Sequence, residues 1–246
     1  MESIFISRER KLSGIKDTGI QYIPGHLETF VDLIIEKYLP NPEGPVLDLG
    51  GGGLRFAIPM ASLDKKITVV DLDESSVNID FIFSRMIENG FSKHIDINIL
   101  KKNILPIVDD IFQFLEKTRI RYYLITAFRL IHFFNENEVD RFFGVISKRL
   151  KKECLLVISA FSKFSERDSE YNEIFTNSEP IDGNVFYRKF FENETAKNIQ
   201  KQQNLGPFVH LFSEEYLVEY GKRYNFKLIA GNLPSTRIVR GYIFSK

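Results

Sequence analysis

The sequence predicts an α/β fold in which helices cover both faces of a mostly parallel sheet. Through the first 160 residues, apolar strand-like runs alternate with amphipathic helical patterns, an order typical of βα units. Four consecutive glycines, Gly50 to Gly53, follow the first of these runs, and the next run ends at Asp71. A glycine turn after one strand and an acidic residue after the next are typical of a nucleotide-binding βαβ unit.

The elements follow from local apolar spacing and from helix start and stop residues. From His26 to Leu39, apolar residues spaced by three and four predict an amphipathic helix, which Pro40 and Pro42 close. The elements predicted next are a strand at 45–49, a helix at 55–63, a strand at 67–72, a helix at 77–90, a strand at 95–100, a helix at 107–117, a strand at 122–127, a helix at 136–150 and a strand at 155–160.

The alternation stops at Phe161, and the segment up to His210 has no clear period. Segments of this length in compact domains are usually functional lids or disordered, and the nine aromatic residues here argue against full disorder. A helix at 213–224 and strands at 226–230 and 237–244 follow. We therefore expect four parts: a helical N-terminal segment at 1–44, a nucleotide-binding core at 45–160, an insertion or lid at 161–210, and the end of the core at 211–246.

Composition narrows the classes of partner and compartment. Lys plus Arg and Asp plus Glu number 33 each, so no global basic field favours a nucleic-acid partner. The single cysteine, Cys154, lies in an apolar run and is interpreted as a core residue. Because the chain has neither a bilayer-length apolar run nor a signal-peptide pattern, we expect a cytoplasmic protein without a membrane partner, as a monomer or homodimer.

From Val46 to the final strand, the order of motifs resembles the class I S-adenosylmethionine-dependent methyltransferases. The segment V-L-D-L-G-G-G-G-L resembles that family's first motif, with Leu54 at the place of its third glycine. The resemblance implies a Rossmann-like fold with a seven-stranded, mostly parallel sheet, an insertion after strand 5, and S-adenosyl-L-methionine as the cofactor, with S-adenosyl-L-homocysteine as the product. Residues implied to hold the cofactor are Asp48 for its ammonium group, Gly50, Gly51 and Gly52 for the methionine part, Asp71 for the ribose, and Leu72, Asn103 and Ile104 for the adenine.

The segment Y-Y-L-I-T-A-F-R-L-I-H-F-F resembles the family's fourth motif, with Tyr123 where an Asp often stands. By this resemblance Ala127 and Phe128 would contact the cofactor and Arg129 the substrate. No N-P-P-Y or D-P-P-Y follows, which disfavours the branch that methylates nucleobase amines or glutamine amides. A dehydrogenase fingerprint would need a glycine at Arg55, and no histidine or cysteine cluster has metal spacing, so no metal is expected.

Four further residues are candidates for chemistry on the acceptor. His132 and His210 are possible general bases, although a packed structural role fits each of them as well. Tyr187 and Arg188 could bind an anionic or carbonyl-bearing acceptor, or could lie on a solvated helix face.

The expected function is methyl transfer from S-adenosylmethionine to a small-molecule acceptor by in-line displacement. Two alternatives stay open. The departures at Leu54, Asn103 and Tyr123 are compatible with a cofactor-binding protein that is inactive or regulatory, and a local basic surface would fit an RNA or protein methyltransferase.

Overall fold

A computed structural model describes residue 34 and residues 44–88, 95–162, 175–180, 186–190, 208–234 and 239–246. The predicted helix at 26–39 and the N-terminal segment at 1–44 lie almost entirely outside these residues. Residue contacts divide the chain into two compact units, Met1–Thr126 and Ala127–Lys246.

The strands form one seven-stranded sheet and one three-stranded sheet. The larger sheet has the order β3-β2-β1-β4-β5-β10-β9 and the smaller the order β6-β7-β8. The strands are β1 (Val46–Leu49), β2 (Ile67–Asp71), β3 (Ile104–Val108), β4 (Tyr122–Phe128), β5 (Leu150–Phe161), β6 (Phe175–Pro180), β7 (Phe186–Phe190), β8 (Phe208–Leu211), β9 (Lys227–Pro234) and β10 (Val239–Ser245). The predicted α/β fold with a seven-stranded, mostly parallel sheet is confirmed.

In the part of the chain that the structure describes, helices connect these strands. They are α1 (Ala57–Ser62), α2 (Glu74–Val77), α3 (Ile79–Glu88), α4 (Ile97–Asn103), α5 (Ile111–Lys117), α6 (Glu136–Arg149) and α7 (Glu214–Arg223), with 3-10 turns at Gly52–Leu54 and Ile131–Phe133.

Several helices begin at a short polar residue whose side chain caps the first turn. Asp73 caps α2, Asp96 caps α4 and Asp110 caps α5, each accepting hydrogen bonds from backbone N–H groups of the first turn. Asn135 and Glu138 form a reciprocal capping box at the start of α6. These caps fix where each helix begins and therefore where the preceding strand or loop ends.

In the first unit, β1 lies between β2 and β4, and β3 pairs with β2, all in parallel. The strand interiors are apolar and β1 is buried along its whole length, as expected for a parallel sheet covered on both faces. The carboxyl ends of β1 and β2 lie at one edge, where the Gly50 N–H donates to the Val70 carbonyl at 2.8 Å. Ligands of open α/β sheets bind at such an edge.

In the second unit, β10 is antiparallel to both β5 and β9. A core of phenyl rings packs between α6, α7 and β10, with Phe143 in contact with the rings of Phe226 and Phe244 at centroid distances of 5.9 Å. The hydroxyls of Tyr220 and Tyr224 donate to Glu136 and Asp140, which joins α7 to α6.

One predicted strand is wrong, and the helix predicted at 107–117 begins only at Ile111, after Asp110. The run I-D-I-N-I-L was expected to be a strand at 95–100, but Asp96 caps a helix that continues to Asn103, and the strand is the following run I-L-P-I-V. The capping bond from the Asn98 N–H to Asp96, at 2.8 Å, outweighs the alternating pattern.

Candidate functional site

The glycine loop after β1 contains three residues in the left-handed backbone region. Gly50, Gly53 and Leu54 have φ values of 63°, 74° and 56°. Glycine adopts this region without steric cost, whereas for a leucine it costs about 1 kcal/mol. Leu54 nevertheless adopts it, because its N–H donates to the Gly51 carbonyl at 2.8 Å and its side chain is fully buried. The departure from the family pattern at this position therefore keeps the backbone conformation that a glycine would give.

Gly51 has no room for a side chain. A Cβ atom at this position would collide with Cγ1 of Val69 and lie 2.9 Å from Oδ2 of Asp48. Close packing of the loop on β2 thus requires glycine here and holds the Asp48 carboxylate against the loop backbone.

Asp48 is a buried carboxylate beneath the loop, and the residue is only 2% exposed. Its Oδ1 atom accepts a hydrogen bond from the Thr126 hydroxyl at 2.6 Å. Burial, opposed by this hydrogen bond and assisted by the charge on Asp71, raises the pKa of Asp48 to about 7. A carboxylate in this state favours a cationic ligand group, since a positive charge would stabilise its ionised form.

Asp71 ends β2 beside the same loop. Its Oδ1 atom accepts a hydrogen bond from the Asp73 N–H at 3.0 Å, and its Oδ2 atom lies 3.8 Å from the place where a Cβ of Gly52 would be. Burial raises the pKa of this carboxyl, whereas backbone N–H groups including that of Gly52 lower it. The next side chain, Leu72, is 69% exposed. The Asp71 carboxylate can accept hydrogen bonds from a vicinal diol, and the Leu72 side chain beside it can contact a flat ring.

Asn103 and Ile104 lie at the amino end of β3, away from the carboxyl ends of the strands where the glycine loop and Asp71 lie. This position is contrary to the prediction that they contact adenine. Ile104 begins β3 opposite Ile67, whereas Val108 ends β3 opposite Asp71, about 13 Å further along the strand. The Asn103 amide donates to the Ala61 carbonyl at 3.1 Å and to Asp64 at 2.9 Å, so it holds α4 to the end of α1.

The polar residues that do follow β3 are Asp109 and Asp110, which the sequence analysis missed. The Asp109 N–H donates to the Asp71 carbonyl at 3.1 Å, and the Asp110 carboxylate caps α5. Two acidic residues between an apolar run and a helical pattern were the signal that could have located this edge.

In the second unit, Ala127 and Phe128 end β4 and Arg129 follows with a φ of 52°. The Arg129 N–H donates to both the carbonyl and the hydroxyl of Ser159, at 2.8 and 3.0 Å. The guanidinium atoms Nε and Nη2 are buried and make no hydrogen bond within the part of the chain that the structure describes. Burial lowers the pKa of Arg129 to about 10, so the side chain is still a cation at neutral pH.

His132 and His210 are both buried in this unit. The His132 ring lies 4.2 Å from the Phe161 ring, and burial together with the charge of Arg129 and the neighbouring His210 holds the pKa of His132 well below its usual range. The His210 ring stacks on Phe212 at 3.9 Å, and its Nδ1 lies 3.3 Å from the Phe134 carbonyl. Burial lowers the pKa of His210 to about 4. Both imidazoles are therefore neutral at pH 7 and can accept a proton only as weak bases.

Tyr187 and Arg188 lie on β7, and the alternative that they lie on a helix face is wrong. Tyr187 is opposite His210 in the antiparallel pairing of β7 with β8, and Arg188 is opposite Val209. The pairing of β7 with β8 thus places the backbone of Tyr187, a predicted acceptor-binding residue, opposite that of His210, a predicted base.

A family model described as a methyltransferase domain matches residues 23–230. The chain belongs to this family. Because that match covers most of the chain, it includes both the glycine loop with Asp48 and Asp71 and the segment that carries Arg129 and the two buried histidines.

Solved structures with a similar fold are class I methyltransferases. The glycopeptide N-methyltransferase MtfA complexed with S-adenosyl-L-methionine has a TM-score of 0.59 and 13% identity, covering 91% of this chain and 95% of that chain. A methyltransferase from Methanosarcina mazei has a TM-score of 0.61 and 14% identity, with coverages of 87% and 96%. The 1,6-didemethyltoxoflavin-N1-methyltransferase of Burkholderia thailandensis, solved with 1,6-didemethyltoxoflavin and S-adenosylhomocysteine, has a TM-score of 0.57 and 14% identity, with coverages of 88% and 76%.

A search of curated proteins finds no match to this methyltransferase. In the part of the chain that the structure describes, none of the helices combines the length and the apolar character that a membrane span requires.

Proposed function

We propose that this methyltransferase transfers the methyl group of S-adenosyl-L-methionine to a small-molecule acceptor by in-line displacement. The observation that carries the proposal is the pair of acidic side chains at the ends of β1 and β2 around the glycine loop. Asp48 is buried beneath the loop and Asp71 lies beside it, with the exposed side chain of Leu72 next to it.

Each group fits a different part of the cofactor. Asp48 would bind the ammonium group, whose positive charge suits a carboxylate with a raised pKa. Gly50, Gly51 and Gly52 would allow the methionine part to approach the backbone, and Asp71 would accept hydrogen bonds from the two ribose hydroxyls. Leu72 would cover the adenine, and Ala127 and Phe128 would be further contacts of the cofactor.

The bound cofactor supplies an electrophilic methyl group on a sulfonium, and transfer of this methyl group releases a neutral thioether. The protein's part is to position the acceptor and exclude water. Where the acceptor loses a proton, His132 and His210 are the proposed proton acceptors, because both are neutral at pH 7. Tyr187 and Arg188 remain proposed acceptor-binding residues.

A small-molecule acceptor has a precedent in a protein of similar fold, the 1,6-didemethyltoxoflavin-N1-methyltransferase, which was solved with 1,6-didemethyltoxoflavin bound. The equal numbers of basic and acidic residues also give no general attraction for a polyanionic acceptor. These two observations favour a small acceptor over RNA.

Calorimetric titration with S-adenosyl-L-homocysteine tests the cofactor part of the proposal. We expect micromolar binding by the wild type and a loss of about 100-fold in Asp71→Ala, because two hydrogen bonds to a charged acceptor are each worth about 1.5 kcal/mol or more. Asp80→Ala is the matched control, since Asp80 is an exposed carboxylate on α3 whose side chain pairs with Lys101. Equal affinities for wild type and Asp71→Ala would show that the nucleotide lies elsewhere.

Transfer of a radiolabelled methyl group to a panel of small heterocycles, amines and hydroxy acids tests the acceptor part. Turnover of any of these, with none on bulk RNA or protein, is the expected result. Cofactor binding with no transfer to any acceptor would instead favour the inactive or regulatory alternative.

A further inference from the structure

Arg129 is held in a strained backbone conformation by a rigid neighbour. Its φ of 52° lies in the left-handed region, where a side chain with a Cβ costs about 1 kcal/mol. The two hydrogen bonds from its N–H to Ser159, a fully buried residue of β5, fix this conformation. Strain of this kind persists only where the surrounding structure imposes it, and it clusters at ligand sites.

The guanidinium that this conformation positions has buried donors without partners among the described residues. The two atoms concerned are Nε and Nη2. Their N–H bonds lie in the guanidinium plane and point the same way along one edge of it, and this pair of donors matches the two oxygens of a carboxylate. These two atoms are the buried donors of the Arg129 guanidinium that lack a partner among the described residues.

The described surroundings of Arg129 supply no compensating negative charge. Burial is the cause of its lowered pKa, and no described carboxylate contributes to the shift. Among the described residues, the charge of Arg129 acts on His132, which is neutral at pH 7 and whose Nδ1 atom is also buried without a described partner. Desolvating part of a cation without a counter-charge is unfavourable, and a bound anion would offset that cost.

We propose that Arg129 binds a carboxylate of the methyl acceptor side-on through Nε and Nη2, with His132 Nδ1 as a further polar contact. This inference rests on the proposed function and names its substrate class: a small molecule with a carboxylate. The rings of Phe133 and Phe161, at 4.1 and 4.2 Å from the His132 ring, suit an acceptor whose carboxylate is attached to an aromatic or other flat group.

Thermal unfolding of the ligand-free protein, with sodium benzoate as the probe, tests the inference independently of turnover. At matched ionic strength, millimolar benzoate should raise the Tm of the wild type and benzamide should not. Arg129→Met should lose the benzoate shift, and Arg129→Lys should lose most of it, because an ammonium group cannot form the bidentate pair. Arg119→Met is the control, because Arg119 is an exposed arginine in the loop before β4.

The same variants separate a binding role from a structural one. Because the buried Nε and Nη2 atoms have no partner among the described residues, ligand-free Arg129→Met should have a Tm at least as high as that of the wild type, whereas removing a structural arginine would lower the Tm. A lowered Tm in Arg129→Met, or a benzoate response that is absent from the wild type or equal in both proteins, would overturn the proposal.

Titration of the same variants with S-adenosyl-L-homocysteine identifies the source of the carboxylate. Unchanged affinity in Arg129→Met supports assignment to the acceptor, whereas a loss of tenfold or more would overturn that assignment and give the carboxylate to the cofactor. If the wild type itself fails to bind S-adenosyl-L-homocysteine, the proposed function fails, and the benzoate experiment still decides whether Arg129 binds a carboxylate.

Discussion

Replacing Asp48 with asparagine should stabilise the ligand-free protein and weaken cofactor binding. Asp48 is buried, with a pKa of about 7 against 3.8 for an ordinary aspartate. The folded state therefore holds a proton that the unfolded state releases between pH 3.8 and pH 7. The stability that this carboxyl contributes is fully present below pH 3.8 and is lost as the pH rises through 7.

The magnitude follows from the two pKa values. At about 1.36 kcal/mol for each pH unit of difference, the Asp48 carboxyl costs the folded state about 4 kcal/mol at pH 8 but only about 2 kcal/mol at pH 5. The asparagine side chain of Asp48→Asn would keep an oxygen that accepts the Thr126 hydroxyl while removing the titration. We therefore expect the stability advantage of Asp48→Asn over the wild type to grow by roughly 2 to 3 kcal/mol between pH 5 and pH 8.

Urea unfolding of the two proteins at pH 5 and pH 8 measures this difference. Asp80→Asn, a substitution at an exposed carboxylate, should change stability by less than about 0.5 kcal/mol at both pH values. Calorimetry with S-adenosyl-L-homocysteine should show at least a tenfold loss of affinity in Asp48→Asn, because the ammonium group of the ligand loses its counter-charge. An Asp48→Asn protein that is less stable than the wild type by the same amount at both pH values would refute the reasoning.

Two further predictions concern a strained residue and a buried base. Leu54→Gly should relieve about 1 kcal/mol of backbone strain but lose about 3 kcal/mol of side-chain burial, a net loss of about 2 kcal/mol in urea unfolding. Its affinity for S-adenosyl-L-homocysteine should not change, and tighter binding would mean that leucine distorts the loop. His210 has a folded pKa of about 4 against 6.5 unfolded, so it contributes stability above pH 6.5 that is lost as the pH falls toward 4, about 3 kcal/mol in all. When the pH falls from 7 to 4, the free energy of unfolding should therefore decrease by about 3 kcal/mol more in the wild type than in His210→Phe. Equal decreases in the two proteins would contradict the burial of a neutral imidazole.

The methyltransferase fold and the glycine loop were predictable because their signals are local. The apolar runs of β1 and β2, the glycines between β1 and α1, and Asp71 are contiguous patterns, and each acts through its own backbone. The strand predicted at 95–100 is wrong because the alternation in I-D-I-N-I-L is only a local pattern. The cap at Asp96 and the contacts of Asn103 with α1 favour a helix there instead.

The sequence by itself determined the order of elements, the glycine loop and the acidic residue that ends β2, because strand periodicity, helix caps and glycine conformations depend on neighbours in the chain. Only the tertiary structure decided which polar groups are buried and unpartnered. Arg129 depends on Ser159, thirty residues further along, and Asp48 depends on Thr126, seventy-eight residues further along. Desolvation is a property of everything packed around a group. For this reason the raised pKa of Asp48, and the Arg129 donors that lack partners among the described residues, could not be predicted from the sequence.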